Sequence, residues 1–467
     1  KRQSDSPIIF LAQGRFKKMS EAERIIEYGK KIEEVYRLRT PRSKKIIKNG
    51  ENYVPDGDMR ISVWFEPYPT VMSKGDGCRL YDVDGNDYLD FSNNWTSMIL
   101  GNNHPKVVEA ITRQAPLGSA MAAPSESVYD WAKILCERIS SVDKIRFCTS
   151  GTEGVMFAVR AARAYTGKDK ILKMEGNYHG SYDIMEMQVG WRRLPRGIPK
   201  SVEKDVLVTP FNDEEAAERV IKENKDEMAA VIVEGIMGAA GMIPPENDYL
   251  KFLRQVTSEN GVLLIIDEVI SFRLSTGGAQ QIFGVEPDLT ALGKTIGGGL
   301  PVGAFGGRDD VMAVYSPKQK HPAHHAGTFV ATPISVAAGI ACLKEMTPGA
   351  IKKINALGVF LKKGLRGVLD DLKIKAQLKG YGSLQQIHFT HEPVFTASTA
   401  FLTQDRDVLR LFHLAMMNKG VFIPNRGFFA ISTPMTEAEI HKAVNATFEV
   451  LSELKPLIRE IAPQLVG

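Results

Sequence analysis

The alternation of short apolar runs with helical stretches between about residues 95 and 345 constrains the fold more than any other feature of the sequence. The runs at 144–148, 229–234 and 262–267 have the length of strands, and the last two end in an acidic residue. Apolar runs of this length separated by helices indicate parallel strands that are buried on both faces of a sheet. The sequence therefore predicts a large α/β domain over residues 96–345.

Further segments flank this region, because a chain of 467 residues exceeds the size at which one hydrophobic core stops growing. Residues 346–467 are predicted to form a smaller α+β domain, whose last helix begins at a capping box of Thr436 and Glu439. Residues 1–95 are predicted to hold an amphipathic helix, opened by a capping box at Ser20, and to contribute to the small domain. On the last helix we expect one apolar stripe, made of Ile440, Val444, Phe448 and Leu451.

The bulk composition excludes several classes of function. A formal net charge of +4 over 467 residues is too weak to indicate a nucleic-acid or membrane partner. No apolar run approaches the ~20 residues needed to cross a bilayer. The four cysteines are scattered and include no C-x-x-C pair, which favours a reducing compartment, so we expect a cytoplasmic protein without a metal site.

A small polar turn at residues 149–153 (TSGTE) lies between the first apolar run and a helical stretch. A strand, a turn and a helix N-terminus together suit an anion, because free backbone amides and the helix dipole face the ligand. Ser150 and Thr152 would add hydroxyl groups, and Gly151 would let a phosphate approach the backbone. Since Ser and Thr are also the usual N-cap residues, the turn alone leaves both interpretations open.

The loop at residues 176–180 (GNYHG) places Tyr178 and His179 between glycines. An aromatic side chain in this setting can lie flat against a ring, although such a pair usually belongs to an ordinary loop. The loop alone therefore predicts no specific ligand.

Asp267 ends the most apolar run, at the edge of the predicted sheet where ligands bind in open α/β folds. A carboxylate buried there needs a cationic partner. A protonated pyridine nitrogen and an Arg or Lys side chain satisfy that need equally, so position leaves the two open.

Lys294 lies in a glycine-rich loop, residues 292–300 (LGKTIGGGL). The Walker lysine of a phosphate-binding loop is the obvious alternative, but that motif needs glycine at position 288, where Asp stands. It also needs a strand directly before the loop, and none is expected here. The remaining functional interpretation is a desolvated lysine that forms an imine with a carbonyl group.

Together these motifs resemble the class III (fold-type I) aminotransferases, which use pyridoxal 5′-phosphate (PLP), from about residue 55 to the end of the chain. The sequence is similar in particular to the branch of glutamate-1-semialdehyde aminomutase and the β-amino-acid aminotransferases. The resemblance implies a PLP-dependent transferase fold with a mostly parallel seven-stranded sheet in the large domain and a smaller α+β C-terminal domain. The matching segments are 150–153 (SGTE), 178–180 (YHG), 267–269 (DEV), 292–294 (LGK), 327–329 (GTF) and 380–384 (GYGSL).

The resemblance also implies a role for each motif. Lys294 would hold the cofactor as a Schiff base and shuttle a proton, Asp267 would keep the pyridine nitrogen protonated, and Tyr178 would stack on the ring. Thr328 would reach the phosphate bound in the neighbouring subunit, which implies an obligate homodimer. The other cofactor-binding residues would be Ser150, Gly151, Thr152 and His179.

Two arginines indicate the kind of substrate. Arg60 and Arg426 lie in segments similar to the carboxylate-binding segments of β-amino-acid aminotransferases, and the arginine fork suits bidentate pairing with a carboxylate. Asn425 stands where the aminomutase pattern has an acidic residue, which disfavours an internal amino shift. Trp95 is a candidate apolar wall of the pocket, with packing in the core as the equal alternative.

We therefore predict a PLP-dependent transaminase that moves an amino group from a carboxylate-bearing amino acid, β-amino acids included, to a keto acid such as pyruvate or 2-oxoglutarate. One alternative is another PLP reaction on the same scaffold: an aminomutase, racemase or decarboxylase. The other is a non-catalytic dimeric relative, against which the intact Lys294, Asp267 and Tyr178 argue.

Overall fold

The computed structural model describes residues 21–189 and 195–467. The capping box predicted at Ser20 begins outside these residues, and the helix predicted after it is Glu21–Arg39. The strands in the described ranges are β1 (Met72–Asp76), β2 (Arg79–Asp82), β3 (Asp87–Asp90), β4 (Lys144–Cys148), β5 (Lys170–Met174), β6 (Val206–Thr209), β7 (Met228–Glu234), β8 (Leu263–Asp267), β9 (Leu289–Gly293), β10 (Gly303–Gly307), β11 (Gln377–Tyr381), β12 (Leu384–His388), β13 (Val421–Phe422) and β14 (Phe428–Ala430).

Helices connect most of these strands, and in the text they are named by their bounds. Besides Glu21–Arg39 the α-helices in the described ranges are Pro41–Gly50, Pro105–Gln114, Glu126–Arg138, Gly151–Thr166, Glu214–Asn224, Tyr249–Glu259, Gly278–Phe283, Asp309–Met312, Pro333–Glu345, Pro348–Asp371, Ala397–Leu402, Arg406–Asn418 and Glu437–Ile461.

The largest sheet has seven strands in the order β4-β10-β9-β8-β7-β5-β6. Strand β10 runs antiparallel to both of its neighbours, β4 and β9. The other neighbouring pairs, from β9 across to β6, are parallel. The predicted mostly parallel seven-stranded sheet is confirmed.

One expectation about this sheet was wrong. Strand β9 ends at Gly293, directly before Lys294, whereas we expected no strand immediately before that loop. Thr290 and Gly293 interrupt the apolar run and hide the strand in the sequence, although every residue of β9 is buried. The Walker interpretation still fails, because Asp288 occupies the position of the required glycine.

Apolar side chains cover both faces of the large sheet. Every residue of β7 and β8 is buried, as continuous apolar runs in a parallel sheet require. Helices Glu214–Asn224 and Tyr249–Glu259 pack on one face, and helix Gly151–Thr166 packs on the other. The polar residues of these two strands, Glu234 and Asp267, are the last of each strand and lie at the edge of the sheet.

Two smaller sheets combine segments from both ends of the chain. Strand β3 pairs in parallel with β13, so the N-terminal hairpin strands share a sheet with a C-terminal strand. Strands β11, β12 and β14 form a separate antiparallel sheet. The domain limits predicted at residues 95 and 345 stay predictions.

The last helix, Glu437–Ile461, begins at the predicted capping box, in which the Thr436 amide donates to the Glu439 carboxylate at 2.9 Å. Its predicted apolar stripe is wrong at Phe448, which is 44% exposed, whereas Ile440 is fully buried. Residues spaced by four drift about 40° per step around a helix of 3.6 residues per turn. Two such steps carry the stripe from Ile440 out of the core at Phe448.

In the described part of the chain no single helix is long and apolar enough to span a bilayer, and only Pro333–Glu345 with Pro348–Asp371, bent by 73°, reach that length and composition as a pair.

Candidate active site

Three neighbouring strands end at one edge of the large sheet and bring polar residues together there. Glu234 at the end of β7 is in register with Asp267 at the end of β8, and Asp267 is in register with Ala291 of β9. Lys294 follows directly on β9. This is the carboxyl edge, where open α/β sheets bind their ligands.

Asp267 is held rigidly at this edge. It is 4% exposed, its Oδ1 accepts from the Val269 amide at 2.9 Å, and its Oδ2 lies 2.8 Å from His179 Nδ1. Burial lowers the pKa of His179, and its hydrogen bond to Asp267 opposes that shift. A neutral imidazole that donates from Nδ1 fits these contacts, and it leaves the negative charge of Asp267 for a cationic partner.

The turn after β4 caps a helix and leaves backbone amides open to a ligand. Ser150 is the N-cap of helix Gly151–Thr166, and its Oγ accepts from the Glu153 amide at 3.2 Å. Ser150, Gly151 and Thr152 are partly exposed, so the free amides of the first helical turn can reach a ligand. The capping interpretation is confirmed, and it leaves the Ser150 hydroxyl proton free to donate.

The loop at 176–180 packs directly on this turn because of one glycine. Gly180 has φ +95°, and a Cβ atom there would lie 2.6 Å from Thr152 Cα and Oγ1. The amide of Ser181 donates to Thr152 Oγ1 at 3.3 Å. Only glycine fits this approach, which brings Tyr178 beside the anion site.

Tyr178 presents its ring to solvent while its backbone is fixed. The side chain is 37% exposed, and its hydroxyl lies 2.9 Å from Ser181 Oγ. The Tyr178 amide donates to Glu234 Oε2 at 3.1 Å. The exposed ring is therefore available to a planar ligand.

Lys294 has two properties of a reactive lysine. Its backbone has φ +50°, a left-handed conformation that is strained for a residue with a side chain and concentrates at functional sites. Burial lowers the pKa of its amine, and the nearby carboxylates of Asp267 and Glu234 oppose the shift. A lowered pKa favours the neutral amine, which is the form that attacks a carbonyl.

Glu234 is a site residue that sequence reasoning missed. It is 2% exposed, and burial, followed by the charge of Asp267, raises its pKa to about 8. Its Oε1 accepts from the Gly238 amide at 3.2 Å. The signal was present, because Glu234 ends an apolar run in the same way as Asp267 does.

The predicted substrate residues cluster around Trp95. The Arg426 guanidinium lies 5.1 Å from the centre of the Trp95 ring, and Arg426 Nη1 donates to the Ala239 carbonyl at 2.9 Å. Arg60 is exposed and joins the group through Asn94, whose Oδ1 accepts from Arg60 Nη1 at 3.4 Å. Arg60, Asn94 and Trp95 also line one cavity of about 230 Å³.

Both interpretations of Trp95 have support. Its ring meets Phe428 edge-on, with the ring centres 5.4 Å apart, and this contact belongs to a small apolar cluster. Its other contact is the Arg426 guanidinium. Trp95 thus packs against apolar residues and also supports a predicted substrate residue.

Thr328 is exposed, as a residue that reaches a neighbouring subunit must be. The segment before it is anchored by two arginines: Arg146 Nη1 lies 3.1 Å from His325 Nδ1, and Arg160 donates to the His324 carbonyl at 2.8 Å. The contact of Thr328 with a second subunit stays a prediction.

The residues at the carboxyl edge fit PLP. The turn at Ser150 suits the phosphate, the exposed Tyr178 ring suits the pyridine ring, and Asp267 offers a carboxylate to a protonated ring nitrogen. Lys294 would supply the amine for the aldehyde. His179 Nε2 is buried without a hydrogen-bond partner in the described residues, which marks the inner side of the same pocket.

Comparison with known proteins decides the family. The family model described as "Aminotransferase class-III" matches residues 61–450. The chain belongs to this family. The predicted enzyme class, the fold and PLP as cofactor are confirmed with it.

The relatives of this class-III aminotransferase carry two kinds of name. The glutamate-1-semialdehyde 2,1-aminomutase of Methanobrevibacter smithii is 41% identical over 391 residues, which cover 83% of this chain and 92% of the relative. An omega-transaminase structure from Sphaerobacter thermophilus is 38% identical with a TM-score of 0.86, covering 88% and 98% of the two chains. The beta-phenylalanine aminotransferase of Variovorax paradoxus is 31% identical with a TM-score of 0.87, covering 94% and 99%. The predicted branch is thereby confirmed.

Proposed function

We propose that the protein is a PLP-dependent transaminase that takes an amino group from a carboxylate-bearing amine, β-amino acids included, and passes it to a keto acid such as pyruvate or 2-oxoglutarate. The position of Arg426 carries this proposal. Its guanidinium stacks on Trp95 and lies near Tyr178 and Glu234. An arginine at the entrance to the cofactor pocket suits recognition of a carboxylate.

Burial shapes how Arg426 would act. Burial lowers its pKa, so its positive charge is incompletely solvated and gains from a substrate carboxylate. Arg60 offers a second guanidinium on the far side of Asn94. One carboxylate can therefore be clamped while the amine points toward Lys294.

Bound PLP supplies an electron sink for the electrons released at the substrate carbon. Lys294 Nζ would act as the base that accepts the proton from that carbon and later gives it back. Asp267 would balance the positive charge of a protonated ring nitrogen, and His179 fixes the orientation of Asp267 through the 2.8 Å contact. The Ser150 turn would hold the phosphate, and Tyr178 would offer its exposed ring to the pyridine ring.

An aminomutase that shifts the amino group within one molecule is the second candidate. Curated relatives support it more directly than transfer between two molecules, because three of them, 41%, 38% and 38% identical, bear the aminomutase name. Asn425 supports transfer instead. Its Nδ2 donates to the Trp64 carbonyl at 2.8 Å, and it offers no carboxylate at that position.

The two candidates differ in where the nitrogen goes. The PLP-loaded protein is incubated with a ¹⁵N-labelled β-amino acid and unlabelled 2-oxoglutarate or pyruvate, and separately with glutamate 1-semialdehyde alone. Label in new glutamate or alanine supports the transaminase. Formation of 5-aminolevulinate from the single substrate, without label transfer in the first reaction, supports the aminomutase, and epimerised or decarboxylated products exclude both.

We also propose that the enzyme is a homodimer in which Thr328 reaches the phosphate bound by the partner subunit. The exposure of Thr328 and the arginine anchors before it support this arrangement. Subunit mixing tests it. A dimer is formed from one Lys294→Ala chain and one Thr328→Val chain. If Thr328 acts across the interface, both substitutions fall in the same site, and PLP titration of the mixed dimer should reveal one intact site per dimer.

A further inference from the structure

Two cations are completely buried beside the active site. Lys173 and Arg273 are both 0% exposed, although a buried charge costs free energy unless it is paired or hydrogen-bonded. Among the described residues each is held by three uncharged oxygen acceptors. Neither has a role in the reaction described above, so their placement calls for another explanation.

Lys173 closes the loop that carries the cofactor-side residues. It lies on β5, and its Nζ donates to the carbonyls of Asn177 at 3.0 Å, Met185 at 2.8 Å and Met187 at 2.7 Å. All three N–H groups of the ammonium are thereby used. Residues 177–187 include Tyr178, which would cover the cofactor ring, and His179, which orients Asp267.

Asn177 ties this loop to the neighbouring strand as well. Its Oδ1 accepts from the Glu234 amide at 3.0 Å, while its carbonyl accepts from Lys173. Tyr178 is thus placed by contacts on β5 and β7 together. The contacts of Lys173 are all with the loop that carries Tyr178 and His179.

Arg273 contacts a different set of segments. Its Nη1 donates to the Thr96 carbonyl at 3.0 Å, its Nε donates to Ser383 Oγ at 3.3 Å, and its Nη2 donates to the Ile431 carbonyl. Ile431 follows β14, the strand next after Arg426. Arg273 therefore joins three segments on the substrate side.

Thr96 ends an unusual piece of backbone. The four consecutive residues Asn93–Thr96 have φ values of +49°, +45°, +54° and +75°, and none is glycine. Non-glycine residues adopt this conformation as single residues, not in a run, so the surroundings must hold the turn. Arg273 does so from the end at Thr96, and Asn93 Nδ2 does so by donating to the Ala430 carbonyl at 2.6 Å.

The strained turn sets the substrate-side geometry. It presents Asn94 to Arg60 and Trp95 to Arg426. A shift of the turn would change the spacing of both guanidinium groups. Arg273, which anchors this turn, therefore affects carboxylate recognition and not the cofactor.

We propose that Lys173 and Arg273 are positioning residues with separate tasks: Lys173 aligns the cofactor-side loop, and Arg273 aligns the substrate-side turn. The task of Arg273 rests on the proposed function, because it concerns carboxylate recognition. The task of Lys173 rests only on PLP as the cofactor.

Matched substitutions separate the two tasks. Lys173→Met and Arg273→Met each replace a buried cation by an unbranched apolar side chain. Two dissociation constants are measured: that of PLP, by titration of the apoprotein, and that of glutarate, a dicarboxylate without an amino group, from the absorbance shift of the PLP-saturated protein. KM and kcat for an active donor are measured alongside.

Lys173→Met should weaken PLP on the order of 10- to 100-fold, because a misplacement of about 1 Å can cost about that much. It should change glutarate binding by less than about twofold, because Lys173 contacts only the cofactor-side loop. Arg273→Met should show the reverse pattern and raise KM for the donor more than it lowers kcat. Lys173→Gln keeps part of the Lys173 contacts and should weaken PLP binding less than Lys173→Met does. Ser383→Ala removes one of the Arg273 contacts and should weaken glutarate binding less than Arg273→Met does. These two variants decide the case where a methionine variant does not fold.

Equal weakening of both ligands by both variants would overturn the proposal, since it indicates a general structural role. The proposal would also be overturned if Lys173→Met weakened glutarate binding and Arg273→Met weakened PLP binding. A wild-type protein that binds PLP but not glutarate would refute the proposed substrate class and the task of Arg273, while PLP titration of Lys173→Met still decides the task of Lys173.

Discussion

Glu234 makes the stability of the enzyme depend on pH in a way that a single substitution removes. Its carboxyl group is fully buried and accepts from the amides of Tyr178 and Gly238. Burial, and then the charge of Asp267, raises its pKa to about 8 from an ordinary value of 4.5. We take Glu234→Gln as the perturbation, because it keeps the shape of the side chain and cannot ionise.

The sign and size of this pH dependence of the free energy of unfolding follow from proton linkage. A carboxyl group whose pKa is higher in the folded state stabilises folding at low pH, and this contribution is lost as the pH rises through the folded pKa. A rise from 4.5 to about 8 corresponds to roughly 5 kcal/mol in all, at about 1.36 kcal/mol per pKa unit. Between about pH 6 and about pH 9.5 the wild type should lose roughly 3 kcal/mol of this contribution.

Glutamine removes the contribution of Glu234 to the pH dependence and also lowers the stability by a constant amount. Its amide nitrogen would face one of the two backbone N–H donors, which costs about 1–3 kcal/mol at every pH. The wild type should therefore exceed the variant in free energy of unfolding near pH 6, and this advantage should shrink as the pH rises. Other titrating groups are common to both proteins and cancel in the difference.

The assay is urea unfolding of the two apoproteins at a series of pH values across that range. The measured quantity is the difference in free energy of unfolding between wild type and Glu234→Gln. A difference that stays constant from low to high pH would refute the reasoning, because it would mean that Glu234 titrates as an ordinary carboxyl group.

Three further predictions concern the pocket. Gly180→Ala would place a Cβ atom 2.6 Å from Thr152 Cα, so PLP titration should show a loss of affinity and melting a lower Tm; unchanged values would contradict the predicted clash. Asn94 has φ +45° and ψ +61°, so in urea unfolding Asn94→Gly should be more stable than Asn94→Ala by about 1–2 kcal/mol, and equal stabilities would remove the argument from strain. Arg426→Met should raise KM for carboxylate donors by roughly 10-fold or more while PLP affinity stays the same, and an unchanged KM would exclude Arg426 as the carboxylate ligand.

Residues in local motifs could be predicted from the sequence alone. The turn at Ser150 and the acid at Asp267 each depend on a strand that ends and a short segment that follows, and Lys294 depends on the glycine-rich loop around it. Such signals are local, so the carboxyl edge of a parallel sheet brings them together without further information. The large sheet and its buried strands could be predicted for the same reason.

Residues that act through distant contacts escaped prediction. Arg273 is separated from Thr96 by 177 positions and from Ile431 by 158, and no local pattern reveals either contact. The left-handed turn at Asn93–Thr96 contains no glycine, so the usual signal for that conformation is missing. Strand β9 was not predicted, because Thr290 and Gly293 interrupt its apolar run. The predicted cytoplasmic location stays a prediction.

The central claim is that Lys294 binds PLP covalently. Borohydride reduction of the PLP-loaded protein fixes the cofactor on whichever lysine carries it, and peptide mass mapping then locates the adduct. We predict the adduct on the peptide that contains Lys294, and none in Lys294→Ala. An adduct on Lys173 or another lysine, or reduction without any adduct, would contradict the account.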